Sequence, residues 1–470
     1  MNIIAKTIIA AAALLPLTIA AQNFDEIYNQ ADKARTEFNT NVYTGAVTPA
    51  WKDNTTFLFR TLEKDGEKYY ALNVDTREKT AATKEEYDSL MQKRRRPYDP
   101  SDESPYAMHR ERKPIASPDS SLEASIKDNN VWVGDRQLSF DGTDLWPYTR
   151  IMWSPDSKKI AATRKQKIEE RQITLRDSRP ADQVQPKYKN IDYAKPGDAL
   201  AQTEVALFDV EKGKIAIDNT PFGNQYLLEL GQWAPDSKSF TFEYNQRGHQ
   251  VYQLVSVDAE NGHTSMLADE NTAKYYYKFI YYYDIYRYYL NDGRILWTSE
   301  RDGYRHLYMI DPATGKNTQL TKGDWNVREI HKVDEDGGYV LLSVNGLDAK
   351  KGEDPYNKHV CRLDLATGKL VDLTPENATH APYFNEDFSV FIDNYSRPDL
   401  PNMAALRSAK DGKVLMEIQK QDISEILANG FVMPEVFHAK GRDGKTDIWG
   451  TIYRPRNYDP KKKYPVVEYI

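Results

Sequence analysis

Residues 233–262 read WAPDSKSFTFEYNQRGHQVYQLVSVDAENG and contain both kinds of turn that recur along this chain. The first is a Pro-Asp-Ser turn at Pro235, Asp236 and Ser237, directly after Trp233 and Ala234. The second is an Asp-x-x-x-Gly turn that starts at Asp258 and ends at Gly262. Proline fixes one φ angle, glycine permits positive φ and aspartate accepts hydrogen bonds from nearby backbone, so each sequence favours a hairpin for a local reason.

Both turns repeat, and their spacing indicates the architecture. Earlier Pro-Asp-Ser turns contain Pro118 and Pro155; with Pro235 the prolines are 37 and then 80 residues apart, which we interpret as one and two periods of about 40. The Asp-x-x-x-Gly aspartates are 49, 53 and 53 residues apart. They are Asp209, Asp258, Asp311 and Asp364, and similar first turns follow at Asn291-Asp292-Gly293, Asp336-Gly337-Gly338 and Asn385-Glu386-Asp387.

A repeating unit of this length, with four short strands and two turns, is typical of one propeller blade. A lone four-stranded sheet cannot bury both faces until neighbouring sheets stack against it. The sequence therefore predicts an all-β fold over residues 43–435, a β-propeller of seven or eight four-stranded blades. Six blades are evident from about 115 to 420, with an earlier one at 43–80. A large β-sandwich with coincidental turns is the alternative.

Composition narrows the functional classes. The 470 residues include 32 tyrosines, which favour half-buried pleated surfaces, and carry a net charge of −7 that is spread along the chain. That charge gives no electrostatic basis for a nucleic-acid or anionic-membrane partner. Eight scattered histidines show no zinc-ligand spacing, so we expect no metal and no cofactor, and the single Cys361 excludes an internal disulfide.

The N-terminal residues predict export. Lys6 precedes an apolar run at 7–15 and small residues before Gln22, a pattern typical of a signal peptide over residues 1–21. The run is shorter than the ~20 residues that a span requires, so we expect no membrane span after signal removal. We therefore predict a periplasmic or extracellular bacterial protein. Helical spacing of apolar residues then predicts a short helical segment at 22–42.

Two insertions interrupt the blade pattern, and a third segment is unusually rich in tyrosine. Residues 82–113, with the basic run 93–96, predict a helix end and a solvated loop. Residues 165–200 are polar and contain several prolines; they predict a long loop within one blade that overhangs a substrate entrance. Residues 275–289 contain nine tyrosines, which favour a partly buried strand pair, with a pocket lining as the alternative.

Three stretches resemble a known family. Residues 297–308 (WTSERDGYRHLY) and 391–399 (FIDNYSRPD) are similar to propeller segments of the dipeptidyl peptidase IV branch of the prolyl oligopeptidase-type serine peptidases. Residues 441–470, including WGTIYRP and KYPVVEYI, resemble the start of that family's α/β-hydrolase domain. The resemblance implies that 436–470 begin a truncated catalytic domain. Alternation at Ile448, Gly450 and Ile452 predicts a hairpin, and an apolar strand is expected from Tyr464 onward.

The family's catalytic residues are absent from this sequence. The resemblance implies a serine in a Gly-x-Ser-x-Gly elbow followed by Asp and His, yet no Gly-x-Ser-x-Gly occurs in these residues. We therefore expect the propeller portion of a secreted serine peptidase acting on peptides, inactive alone and a possible homodimer in its intact form. A non-catalytic periplasmic propeller that binds a peptide, glycan or protein partner is the alternative.

Substrate-binding residues are harder to assign. Aminodipeptidases of this family hold the substrate's amino terminus with a glutamate pair before a Trp-Ser-Pro turn, because two carboxylates match one ammonium. The corresponding stretch, 141–148, contains Asp141 and Asp144 but no glutamate pair. Glu169 and Glu170 lie on the other side of Trp153 and are a weaker alternative. Dipeptide release is therefore doubtful.

Two further motifs are interpreted as structural. His306 is expected to bond a neighbouring turn rather than bind a ligand, and Glu300 and Arg301 are expected to form a structural ion pair.

Overall fold

The computed structural model describes residues 24–94, 114–271, 285–456 and 458–469. These residues form seven four-stranded antiparallel sheets, and each sheet is hydrogen-bonded in chain order apart from one insertion. The predicted β-propeller is therefore confirmed, and the sheets are its blades 1 to 7. Three sequence predictions lie outside the described residues: the signal peptide predicted for 1–21, the loop predicted after the helix end at residues 95–113, and most of the tyrosine-rich stretch, 275–284.

The blades contain strands as follows. Blade 1 consists of β1 (Ala50–Trp51), β2 (Thr56–Glu63), β3 (Gly66–Asn73) and β4 (Lys79–Ala81), and blade 2 of β5 (Ile115–Ala116), β6 (Glu123–Lys127), β7 (Asn130–Val133) and β8 (Arg136–Gln137). Blade 3 consists of β9 (Tyr148–Trp153), β10 (Lys159–Lys165), β13 (Thr203–Asp209) and β14 (Gly213–Ile215), interrupted by a hairpin of β11 (Gln172–Asp177) and β12 (Lys187–Asp192). Blade 4 consists of β15 (Gln225–Trp233), β16 (Ser239–Gln246), β17 (Val251–Asp258) and β18 (Thr264–Asn271).

The remaining blades follow the same order. Blade 5 consists of β19 (Arg287–Tyr289), β20 (Ile295–Ser299), β21 (His306–Asp311) and β22 (Lys316–Gln319), and blade 6 of β23 (Asn326–Asp334), β24 (Tyr339–Asn345), β25 (Lys358–Asp364) and β26 (Leu370–Asp372). Blade 7 consists of β27 (Thr379–Phe384), β28 (Val390–Arg397), β29 (Leu400–Ser408) and β30 (Val414–Lys420). Outside the blades lie α1 (Phe24–Thr40), α2 (Lys84–Arg94), α3 (Ser424–Ala428) and a separate hairpin of β31 (Glu435–Lys440) and β32 (Asp447–Ile452).

Apolar side chains between adjacent blades form the core. Each pair of neighbours from blade 2 to blade 7 shares a buried cluster, for example Leu254 and Trp297 between blades 4 and 5. Blade 7 packs in turn on blade 1, where Phe57 and Phe59 meet Ile392. Both faces of a blade are thus removed from water only when its neighbours are present, which is why the repeat must be extended into a ring.

The ends of the ring are also joined by hydrogen bonds. The Asn394 side chain accepts from the Val47 N–H at 2.7 Å and donates to the Val47 carbonyl at 2.9 Å. Tyr43 and Asp422 form an antiparallel bridge beside this contact. The C-terminal hairpin β31–β32 forms its own two-stranded sheet and pairs with no blade strand among the described residues.

The Pro-Asp-Ser turns link consecutive blades. The Ser157 hydroxyl accepts from the backbone N–H of Asp119 at 3.1 Å, and the Ser237 hydroxyl accepts from that of Asp156 at 3.0 Å. The indole of Trp233 likewise donates to the Met152 carbonyl of the preceding blade at 3.1 Å. The motif therefore holds blades 2, 3 and 4 in sequence.

This arrangement corrects the predicted period. Pro155 and Pro235 belong to neighbouring blades, so their separation spans one blade and not two. The additional length is the β11–β12 insertion, which also shows that the predicted loop at 165–200 contains a hairpin. The sequence did not predict these strands because both faces of the hairpin are largely solvated, so its residues are polar and show no apolar alternation.

Strand direction defines two ends of the propeller. Antiparallel strands reverse at each turn, so the Pro-Asp-Ser and Asp-x-x-x-Gly turns share one end, here the turn end. The connections between second and third strands, and those between blades, share the opposite end, here the loop end. The fourth strands lie at the rim, where β4 and β22 are fully exposed, so the first strands line the central channel.

The helical and C-terminal predictions have mixed outcomes. The N-terminal helix is confirmed as α1, and the hairpin predicted around Ile448 is confirmed as β31–β32. The strand predicted from Tyr464 is wrong, because residues 463–469 adopt no regular secondary structure. An isolated apolar segment cannot form a strand without a partner for its N–H and C=O groups, and none pairs with it among the described residues. None of the helices in the described ranges is long and apolar enough to span a membrane.

Candidate functional site

A cavity of about 550 Å³ opens among the first strands of blades 4, 5 and 6. Most of its wall comes from the beginning of β19, the beginning of β23 and the connection after β20, all at the loop end. Its lining side chains are mainly polar or charged: Gln232, Ile285, Tyr286, Arg287, Tyr289, Thr298, Arg305, Val327, Arg328, Glu329 and Ile330. The cavity has the size of a small-ligand site and faces the central channel.

Arg287 is fixed in the cavity wall by a buried carboxylate. Its Nε contacts Glu243, whose other carboxylate oxygen accepts from the Tyr252 hydroxyl. Burial raises the pKa of Glu243, and the charge of Arg287 opposes that effect. The Arg287 side chain is one-third exposed, whereas the Glu243 side chain is almost wholly buried. The carboxylate of the pair therefore lies in the protein interior and the guanidinium borders the cavity.

The floor of the cavity is tightly packed. The hydroxyls of Tyr289 and Thr241 lie 2.7 Å apart, and burial raises the pKa of Tyr289 to about 12. A Cβ at Gly231 would lie 2.3 Å from both hydroxyl oxygens, so no larger residue fits between these strands. The Thr298 hydroxyl accepts from the Tyr286 N–H at 2.7 Å and orders the beginning of the wall. These contacts make the cavity a preformed feature of the strands.

Asp141, the first sequence-predicted site residue, is engaged by other side chains. Its carboxylate accepts from Lys214 at 2.5 Å, from Arg164 at 3.1 Å and from the Tyr148 hydroxyl at 3.0 Å. Burial favours a higher pKa for Asp141, but these donors outweigh it and hold the pKa below its usual range. With two cations bound, Asp141 is poorly placed to hold a substrate ammonium.

The other three predicted carboxylates remain exposed at the same end of blade 3. Asp144 accepts from the Asn129 amide at 2.8 Å, and Glu169 and Glu170 follow β10 in the connection to β11. Backbone contact between Lys167 and Leu145 at 2.8 Å brings these two loops together. The structure therefore gathers the candidates at the loop end, but it does not arrange Asp141 and Asp144 as a free pair.

The motif at 297–308 has a structural role. His306 is fully buried, with its ring nitrogens 3.0 Å from the Thr321 hydroxyl and 2.9 Å from the Gly323 carbonyl, as expected for a turn-bonding histidine. Arg301 is ion-paired at 2.8 Å with Glu270 of the preceding blade, so the expected pairing with Glu300 is corrected. Glu270 also accepts from the Trp297 indole at 2.9 Å. The motif thus joins blades 4 and 5.

A second set of buried charges lies between blades 6 and 7. His359 donates from Nε2 to Glu353 at 3.1 Å, and its Nδ1 lies 3.3 Å from Asp372. Burial lowers the pKa of His359, but the two carboxylates outweigh burial and raise it to about 9. The imidazolium is therefore the stable form of this buried side chain at neutral pH.

We expect the stability of the protein to fall as pH rises from 6.5 to about 9. A histidine whose pKa is higher in the folded state contributes its full stabilisation below its unfolded pKa, and the contribution disappears as pH passes the folded pKa. Chemical denaturation at intervals across this range measures the effect. His359→Gln should flatten the decline, whereas His331→Gln should not, because burial lowers the pKa of His331 and keeps it neutral throughout. An unchanged decline in His359→Gln would contradict the assignment.

The pocket lining considered as the alternative for residues 275–289 is in part correct, because Tyr286, Arg287 and Tyr289 line the cavity. Sequence reasoning did not single out the charged residues: Arg287 and Arg328 lie in first strands without a recurring motif, and Glu243 lies at the centre of a strand that reads as an ordinary blade segment. A further signal was Glu243 itself, because a charged residue within an apolar strand indicates a buried partner. That partner, 44 residues further along the chain, is established only by blade packing.

Comparison with known proteins identifies the family. Residues 101–402 match the family model described as the dipeptidyl peptidase IV N-terminal region. The "probable dipeptidyl-aminopeptidase B" of Aspergillus fumigatus is 24% identical over 406 residues, covering 75% of this chain and 43% of that protein. Its counterpart in Aspergillus oryzae is 25% identical over 403 residues, with coverage of 75% and 43%. The chain thus spans less than half the length of these curated relatives.

Solved structures share the fold. Dipeptidyl peptidase 4 of Porphyromonas gingivalis matches with a TM-score of 0.51 and 15% identity, over 87% of this chain and 57% of that one. A Bacteroides ovatus protein assigned as a dipeptidyl aminopeptidase IV matches with a TM-score of 0.52 and 19% identity, over 89% and 67%. At these identities the likeness establishes the architecture alone.

Proposed function

Because this chain belongs to the family of dipeptidyl peptidase IV N-terminal regions, we propose that it is the propeller portion of a secreted serine peptidase that acts on peptides. Its role is to restrict access: the ring admits peptides to a catalytic domain and excludes folded proteins. The fungal relatives named as dipeptidyl-aminopeptidases support the reaction class, and their greater length leaves room for that catalytic domain.

The observation that carries the proposal is the position of the C-terminal segment. The chain leaves blade 7 at the loop end, where Asp422 bridges to Tyr43, and continues into β31–β32. The cavity and the exposed carboxylates Asp144, Glu169 and Glu170 open at this same end. A catalytic domain that follows β32 would therefore cover the end of the propeller at which its polar groups are concentrated.

The surface of the C-terminal hairpin supports such a partner domain. Phe437, Ile448 and Tyr453 expose 41%, 54% and 73% of their surface respectively. Large apolar side chains grouped on one short hairpin mark a contact surface, since water contact with them is unfavourable. A hydrolase domain packed on β31–β32 would bury them.

The chain itself supplies no nucleophile in this proposal. Gly-x-Ser-x-Gly is absent from all 470 residues. The His380–Asp393 contact at 2.9 Å has the composition of a catalytic pair, but both residues are fully buried and Asp393 is also ion-paired with Arg407. A general base must reach the proton that it removes, which this imidazole cannot do.

In this proposal the peptidase does not release dipeptides from the amino terminus of its substrate. Asp141 is neutralised by Lys214 and Arg164, and the stretch 141–148 before Trp153 contains no glutamate pair. The clamp for a free amino terminus is therefore incomplete. We propose a peptidase whose substrates are not selected by two propeller glutamates.

Two measurements test the function. The purified 470-residue chain should not react with a fluorophosphonate probe and should not hydrolyse peptide substrates; labelling at a serine would overturn the assignment of a non-catalytic propeller portion. The coding sequence beyond codon 470 should continue in frame to Gly-x-Ser-x-Gly, and that longer product should both react with the probe and cleave peptides. A stop codon with no such sequence would instead support the alternative, a binding propeller.

A further inference from the structure

The cavity among blades 4, 5 and 6 differs in charge from the rest of the protein. The whole chain carries a net charge of −7, but the charged side chains of the lining, within the described residues, are three arginines and one glutamate. Arginine presents planar N–H donors that match a carboxylate in a bidentate geometry, and it stays protonated at any physiological pH. The lining chemistry therefore favours an anionic ligand with planar oxygens.

Arg287 is preorganised for such a ligand. Its Nε contacts Glu243, and the Tyr252 hydroxyl donates to the other oxygen of Glu243. These contacts fix the plane of the guanidinium from the side that faces the protein interior. Its side chain is one-third exposed and lines the cavity. A donor whose orientation is set before binding loses less conformational entropy when the ligand arrives.

Arg328, on the first strand of blade 6, provides a second cation in the lining. It is exposed at the beginning of β23 and forms no ion pair within the described part of the chain. Its neighbour Glu329 is directed towards His331, at 3.7 Å, and is largely solvated. Glu329 therefore does not pair with Arg328.

We propose that this cavity binds the carboxylate of a peptide, with Arg287 and Arg328 as its ligand-contacting residues. The inference rests on the proposed function, because it takes the ligand to be a peptide in the channel. Two sources supply the same chemical group, an acidic side chain and a free C-terminus. The polar walls at Gln232 and Thr298 accommodate the adjoining peptide backbone.

Binding of four short peptides to the purified 470-residue chain tests the proposal. Each is an acetylated alanine pentapeptide: one has a central glutamate and a C-terminal amide, one a central glutamine and an amide, one a central lysine and an amide, and one no charged side chain and a free C-terminus. Isothermal titration should show the glutamate or the free-carboxylate peptide binding at least about tenfold more tightly than the glutamine peptide, a usual effect of one charge-assisted contact. The tighter of the two identifies the source of the carboxylate.

Substitutions connect that preference to the cavity. Arg328→Gln and Arg287→Gln should each reduce the affinity of the preferred peptide to that of the glutamine peptide. Arg294→Gln is the matched control, because it removes the same charge at the turn end, where Arg294 pairs with Asp292. Arg287→Gln leaves Glu243 without its partner and can lose stability, so Arg328→Gln, at an exposed position, is the decisive variant.

The outcomes separate the two proposals. Equal affinity for all four peptides, or a carboxylate preference that survives Arg328→Gln, would overturn the inference while leaving a peptide-handling propeller intact. Failure of every peptide to bind at millimolar concentration would count against both the inference and peptide handling by this ring. Tighter binding of the lysine peptide would show that the carboxylates of the loop end, and not the arginines, select the ligand.

Discussion

Arg407→Ala is expected to lower the free energy of unfolding by roughly 3–5 kcal/mol, the usual cost of removing one partner from a buried ion pair. Arg407 is almost wholly buried, and its Nε lies 2.8 Å from Asp393, which is fully buried. Its other side contacts Glu376 at 2.6 Å and the Gly412 carbonyl at 3.2 Å. The substitution leaves the Asp393 carboxylate without its arginine cation and with the His380 ring as its remaining partner, which is costly in a poorly solvated interior.

Arg397→Ala provides the matched control in the same blade. Arg397 pairs with Asp399 at 2.8 Å, but both side chains are about one-third exposed, so the loss should be below ~1 kcal/mol. Urea denaturation followed by intrinsic fluorescence measures both variants, and the midpoint should shift strongly only for Arg407→Ala. Similar small shifts for the two variants would show that the Arg407 cluster is solvated or compensated.

Gly262→Ala is expected to lower the free energy of unfolding by about 2–5 kcal/mol, because this position requires a left-handed backbone and has no room for a Cβ. Gly262 ends an Asp-x-x-x-Gly turn with φ of +75°, and an added Cβ would lie 2.0 Å from the backbone oxygen of Ala216. Ala216 follows the rim strand of the neighbouring blade, so relief of the clash requires the two blades to separate. The substitution therefore tests the packing between blades 3 and 4.

Gly315→Ala separates the cost of the left-handed backbone from the cost of the steric clash at the added Cβ. Gly315 ends the same motif with φ of +69°, but nothing lies within 4 Å of its added Cβ. Its cost should be that of the left-handed backbone alone, about 1–2 kcal/mol. Thermal unfolding of both variants gives the comparison, and equal losses would mean that the turn against Ala216 adapts without strain.

The sequence allows prediction of this fold because its strongest signals are local. Pro235 and Gly262 set backbone angles within their own turns, and Asp258 accepts from the N–H groups of Glu260 and Asn261 at 2.8 and 3.1 Å. Repetition of such turns requires a repeated sheet, whatever residues fill the strands. The propeller and the hairpin at 435–452 followed from these turns.

The site could not be predicted in the same way, because its geometry depends on blade packing. Arg287 and Glu243 meet only when blade 5 is placed beside blade 4, and nothing in either strand specifies that distance. Asp141 was a reasonable candidate for an amine clamp from its position, but Lys214, on the rim strand of its blade, already occupies it. The expected strand at Tyr464 failed for a related reason, since a strand depends on a neighbour.

The junction between Val47 and Asn394 has a topological consequence. Every blade is a continuous stretch of chain, and the first and last blades meet through side-chain contacts and a single bridge instead of exchanging a strand. The closed propeller therefore does not depend on which blade comes first in the polypeptide. A circular permutant could begin at another blade and join residues near Tyr43 and Asp422 by a short linker. It would contain every blade intact, so we expect it to form the same propeller.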